Sequence, residues 1–169
     1  MAAAAPKKSV NDPETRPMHM TRRLAVAALA ALTLTPTLAQ DRGTKEEAKA
    51  MVDAAFEHIK KVGAEKAYKD FSTDKTTWVK KDLYVIAQDD KAVFLAHGTN
   101  DKLIGKDMSA IKDGNGRPLS EGLQAMANKG GGWHDYDWPD PITKKLMAKS
   151  TYVRKPPSGV GFIGVGIYR

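Results

Sequence analysis

Between Thr44 and Val62 the apolar residues Ala48, Met51, Val52, Ala55, Ile59 and Val62 recur at three- and four-residue steps, with Lys45, Glu46, Lys49, Asp53, Glu57 and Lys60 between them. That spacing gathers the apolar side chains into one stripe of an amphipathic helix. Thr44 is placed to cap it, with Glu47 three positions on to complete a capping box, and Gly63 to end it. Ala64 to Phe71 reads as a second, short helix and Ser72 to Thr77 as a polar loop. From Trp78 the period changes. Leu83-Tyr84-Val85-Ile86-Ala87 is an uninterrupted run of strand length, Asp89-Asp90 a turn, and Ala92 to His97 a returning strand, so the two form a hairpin. Gly98 to Asp107 is a loop, and Asp113-Gly114-Asn115-Gly116 a strong turn signal. Leu119, Leu123, Met126 and Ala127 mark a helix from Leu119 to Asn128, capped by Ser120 or the residues before it and stopped by the glycines at 130–132.

Three segments close the chain: Gly132 to Pro139, Lys149 to Val153 and Gly164 to Tyr168. Read as antiparallel strands with proline-containing connections, they carry Tyr136, Trp138, Lys149 and Tyr152 along neighbouring strands. The order is then a long N-terminal helix, a hairpin, a connecting helix and three strands. Strands in runs with helices set to one side predict an α+β domain, here a long N-terminal helix packed on a five- to six-stranded antiparallel sheet.

The first forty residues do not fit this pattern. Thr21-Arg22-Arg23 provides a basic start, Leu24 to Leu34 an apolar run of eleven residues, and Thr37-Leu38-Ala39 a small-x-Ala cleavage signal before Gln40. This reads as an N-terminal extension and signal peptide over residues 1–39, ahead of one domain over 40–169. A membrane span needs roughly 20 apolar residues, so a cleaved leader is expected rather than an anchor. Export places the domain in the periplasm. Without residues 1–39 the chain keeps 22 Lys and Arg against 18 Asp and Glu, and these lie singly or in pairs. A mild, scattered excess is a solvated surface and gives no footprint for nucleic acid. The 169 residues contain no cysteine, which excludes thiolate metal sites, covalent haem attachment and cysteine nucleophiles.

Little of the remaining chemistry points to catalysis. The serines have no nucleophile-elbow context, and Gly159-Val160-Gly161-Phe162-Ile163-Gly164 matches a dinucleotide fingerprint in letters but lacks the following helix and acidic residue that the fingerprint requires. His134 beside Asp135 and Asp137 would need further ligands to hold a metal, because neighbouring strand residues face opposite ways. Asp113 opens no calcium loop, since Arg117 occupies a ligand position. A non-enzyme without cofactor or metal is therefore expected. The binding candidates are Lys149 with Tyr136, Trp138 and Tyr152, joined by His97 at the end of its strand. A carboxylate taken out of water needs a cation and oriented donors, which one ammonium and two phenols supply. The plainer alternative is that the aromatics pack the sheet and Lys149 is an edge charge.

Several segments taken together are similar to a known family. The long helix, Leu83 to His97, Leu103-Ile104-Gly105-Lys106-Asp107, Lys112 to Gly116, Gly132 to Pro141, Lys149 to Val153 and Gly164-Val165-Gly166-Ile167-Tyr168 resemble, in order and spacing, a single Cache domain of the second type. This is the PAS-like extracellular sensor module of bacterial chemoreceptors and sensor kinases. The resemblance implies a pocket over the sheet for a small ligand, often a short carboxylate such as acetate, propionate, lactate or pyruvate. In the family the last strand runs toward a membrane span and a signalling module, whereas this sequence stops at Arg169. It is thus expected to be a stand-alone exported sensor that works with a separate membrane partner: a sensor kinase, chemoreceptor or transporter. The competing expectation is a periplasmic interaction subunit with a vestigial pocket, forming a homodimer through the long helix. In that case Ala48, Met51, Ala55 and Ile59 would form an exposed stripe.

Overall fold

In the computed structural model, residues 41–140 and 143–169 are described; the leader assigned to residues 1–39 lies outside them. The Glu47 N–H donates to Thr44 Oγ1 at 3.2 Å and the Thr44 N–H donates to Glu47 Oε2 at 3.0 Å, so the expected capping box starts α1, Lys45–Val62. Such a cap contributes about 1 kcal/mol. Gly63 ends α1 at φ +84°, where an L side chain would be strained, and turns the chain directly into α2, Ala64–Thr73.

The stretch expected to be a loop is helical. α2 continues to Thr73, and one further turn, α3, occupies Lys75–Trp78. Its cap is Asp74, whose carboxylate accepts from the Thr77 N–H at 3.2 Å, and Trp78 meets Phe71 edge-on at 4.6 Å. Polar composition concealed both a cap and an aromatic anchor.

The strands are β1 Val79–Lys80, β2 Leu83–Gln88, β3 Phe94–His97, β4 Gly132–Pro139, β5 Leu146–Arg154 and β6 Phe162–Tyr168, with α4, Leu119–Asn128, between β3 and β4. All pairings are antiparallel, in the order β1-β2-β6-β5-β4, with β3 beside β2. The architecture is the predicted α+β one, with six strands. β3 begins later than expected because Asp89 Oδ1 accepts from the N–H groups of Lys91 and Val93 and holds a wider turn. α4 follows Pro118, so Ser120 lies in its first turn and is not its cap.

The sheet has a helix layer on each face. On one, Ala48, Val52, Ala55 and Ile59 of α1 are buried against Leu83, Val85, Ile163, Val165 and Ile167, with Met51 partly buried at the margin. On the other, Leu119, Leu123 and Ala127 of α4 pack on Tyr136, Val153 and Phe162. The α1 stripe is thus spent on the sheet. Among the described residues no helix is long and apolar enough to cross a membrane.

Candidate ligand-binding site

Strand register decides which side chains share the α4 face. Tyr136 on β4 lies opposite Lys149 on β5, and Lys149 lies opposite Tyr168 on β6. Gly166 opposes Thr151, and His97 on β3 opposes Ile86 on β2. With Tyr84 two positions before Ile86, these residues project to one side of the sheet. Between them and α4 is a cavity of about 70 Å³. Lys149, Tyr84, His97, Tyr136 and Thr151 line it beside Ile86, Phe94, Leu119 and Leu123, with Gln88 and Ser120 also on its wall. Trp138 stands at its margin, shared with a wider depression of about 640 Å³ that reaches the surface past Asp41, Lys81 and Asp82.

Lys149 is only 5% exposed. Its Nζ lies 3.4 Å from Tyr84 Oη and 3.5 Å from Tyr168 Oη, and 4.6 Å above the Tyr168 ring. Among the described residues it pairs with no carboxylate. Burial opposes its charge, but the surrounding phenols of Tyr136, Tyr84 and Tyr168 more than offset this, so its pKa stands above the ordinary lysine value. The group stays an ammonium, held by hydroxyl oxygens and ring faces and without a counter-ion among the described residues.

His97 is a donor of fixed tautomer. Its Nδ1 accepts from the N–H groups of Thr99 and Asn100 at 3.3 and 3.1 Å, which assigns the ring proton to Nε2. Burial, then the nearby Lys149 charge, lower its pKa to about 4, so the ring is neutral at pH 7. Tyr136 Oη and Thr151 Oγ1 share a 2.7 Å hydrogen bond, and burial raises the Tyr136 pKa. The Tyr168 hydroxyl donates to Pro139 O at 3.0 Å, leaving a lone pair for Lys149. The groups placed to donate to an incoming anion are therefore the ammonium, the Tyr84 hydroxyl and the His97 Nε2–H.

Of the residues predicted to bind ligand, the structure brings Lys149, Tyr136, Trp138 and His97 together. Tyr152 requires correction. It is an odd number of residues from Lys149 and faces α1, where its ring meets Trp133 at 5.4 Å and the Lys49 ammonium at 5.6 Å. The site also includes Tyr84, Thr151 and Gly166, with Tyr168 behind Lys149, all of which sequence reasoning missed. Tyr168 was within reach, since it shares a strand end with the glycines that had been singled out. Tyr84 was concealed inside an apolar run.

A larger cleft of about 420 Å³ lies between α4 and the β2–β3 turn, lined by Asp89, Asp90 and Glu121 against the single cation Lys91. Its charge is wrong for an anion. Near His134 no metal set forms: among the described residues no three His, Asp or Glu side chains are grouped to hold an ion.

Residues 21–169 match the family described as Single Cache domain 2. Three solved structures share the fold at comparable distance. One, a methyl-accepting chemotaxis protein from Vibrio parahaemolyticus, is 25% identical with a TM-score of 0.62, the alignment covering 73% of this chain and 87% of that one. A Cache chemosensory domain whose structure explains carboxylic acid recognition is 26% identical with a TM-score of 0.58, over 73% and 91% of the two chains. A periplasmic sensor domain of a chemotaxis protein is 27% identical with a TM-score of 0.57, over 71% and 91%. No curated protein matches the chain.

Proposed function

This chain belongs to the Single Cache domain 2 family of sensor domains, and from that premise we propose that it binds a short monocarboxylate through the Lys149 ammonium and reports its presence to a membrane partner. The observation that carries this reading is the buried ammonium, without a counter-ion among the described residues, facing a cavity of about 70 Å³. At about 10–15 Å³ of accessible volume per water, that space holds about five to seven heavy atoms, enough for acetate to pyruvate. An entering carboxylate would supply the missing charge, and a charge-assisted hydrogen bond contributes about 1.5–3 kcal/mol. One cation, with His97 neutral, favours one carboxylate over two. The side chains of Ile86, Phe94, Leu119 and Leu123 in the lining suit a methyl or ethyl group.

The carboxylic acid recognised by one structural relative supports the same class of ligand. Residues 18–39 support export to the periplasm, and chemotaxis relatives support a chemoreceptor or sensor kinase as the partner. The interaction-subunit reading loses its main support, because Ala48, Ala55 and Ile59 are buried beneath α1 and not displayed.

The test is calorimetric titration of the 169-residue chain with acetate, propionate, lactate and pyruvate, with succinate and ethylamine as controls. Binding of a monocarboxylate that is lost in Lys149→Met, with neither control bound, supports the reading. Binding that persists in Lys149→Met, or a preference for ethylamine, sinks it.

A further inference from the structure

Tyr168 connects the Lys149 ammonium to a guanidinium that does not line the cavity. The Arg42 guanidinium carbon is 5.5 Å from the centroid of the Tyr168 ring. Arg42 is itself fixed: one terminal nitrogen donates to the fully buried Asp140 at 2.5 Å and the other to Asp82 at 3.4 Å. Asp82 Oδ1 also accepts from the Gly43 N–H at 2.6 Å. The backbone there lies flat on β2, since a Cβ at Gly43 would fall 2.2 Å from Leu83 Cγ. The segment that leads into α1 is therefore tied to the sheet through Arg42 and Asp82, and the ring that Arg42 covers is the one beneath Lys149.

We propose that Arg42 is a positioning residue of the carboxylate site, acting through Tyr168, and that ligand occupancy is thereby coupled to the seating of residues 41–44. The proposal rests on the cavity reading above. The Tyr168 ring is held at its hydroxyl by Pro139 O and across its face by the guanidinium, so both its lone pair and its face are presented to Nζ in one orientation. A lysine side chain has many rotamers to lose on binding, and a fixed ring on which to lie lowers what the ligand must order. Coupling between two sites is reciprocal. If the seating of Arg42 strengthens ligand binding, ligand must strengthen the seating of Arg42 by the same factor.

Two variants separate this from a purely structural role. Arg42→Lys keeps a cation for Asp140 but loses the planar face over Tyr168; Tyr168→Leu removes the ring together with its hydroxyl. Propionate and acetate affinities are measured by calorimetry on the 169-residue chain, together with backbone hydrogen exchange of residues 43–48. Each single variant is expected to weaken binding about fivefold. The double variant should bind no more weakly than Tyr168→Leu alone, because Arg42 acts through the ring that Leu lacks. In the unaltered chain propionate should slow exchange at 43–48, and in Arg42→Lys it should not. Wild-type affinity in Arg42→Lys, additive losses in the double variant, or unchanged exchange at 43–48 with propionate bound to the unaltered chain would each overturn the coupling while leaving the binding site intact. An unaltered chain that binds neither acid overturns the cavity reading first and the coupling with it. Should Arg42→Lys fail to unfold cooperatively, the exchange measurement on the unaltered chain decides alone.

Discussion

His97 is the residue whose environment makes the most specific demand. It is 7% exposed, accepts two backbone N–H groups at Nδ1 and sits near a permanent ammonium, so a second positive charge there is unfavourable. Its folded pKa of about 4 lies below the ordinary 6.5, so between these values the unfolded chain binds the proton more readily. Stability from this group is therefore complete above about pH 6.5 and is lost as pH falls toward 4, by up to about 3 kcal/mol. His134 shifts the same way through burial and adds to the trend. Denaturant melts of the ligand-free chain at pH 7, 6 and 5 should show this decline. In His97→Asn, where an amide oxygen can accept the Thr99 and Asn100 N–H groups, the decline should be visibly shallower. Equal slopes would mean that His97 titrates normally and is not the neutral donor described.

The elements explain why some of the site was legible in the sequence and some was not. α1 was legible to the residue because capping box, stripe and terminal glycine are all local signals. The strands were read less well: Tyr152 was grouped with Lys149 although their odd spacing on β5 sets them on opposite faces, and only the register Tyr136↔Lys149 shows which residue of β4 lies beside the lysine. Tyr84 was missed for the related reason that β2 is covered on both sides, so its apolar run has no alternation to reveal which residue faces the cavity. β6 makes the space itself. At Gly166 a Cβ would lie 2.4 Å from Lys149 Cε and 2.8 Å from Thr151 Oγ1, so the bare backbone is what lets the lysine cross its neighbour strand. Gly166→Ala should therefore weaken propionate binding more than tenfold, because the added methyl displaces the ammonium from its ring seat. No positive φ is involved at this position, so no backbone strain confuses the result. Calorimetry beside a thermal melt distinguishes a displaced lysine, with affinity lost and melting nearly unchanged, from a collapsed strand.

At the scale of the whole molecule, the sheet divides two cores of different purpose. The α1 side carries most of the large buried aliphatic residues; the α4 side is interrupted by the cavity of about 70 Å³. Truncation on either side should cost similar stability, since Leu→Ala and Ile→Ala in a core each cost about 2–5 kcal/mol. The functional consequences should differ. Leu123, 2% exposed on α4, lines the cavity, so Leu123→Ala enlarges the space available to a ligand tail and should move the preferred acid from propionate toward butyrate or valerate. Ile59, 3% exposed beneath α1, lies on the opposite face, and Ile59→Ala should lower the melting temperature without reordering the acids. Affinities for the acid series in both variants, read beside their melts, check this. A shift in preference in both variants would mean that ligand choice is set by general loosening of the domain. A shift in Leu123→Ala alone would place specificity in the α4 layer, whose leucines line the same cavity as the buried ammonium.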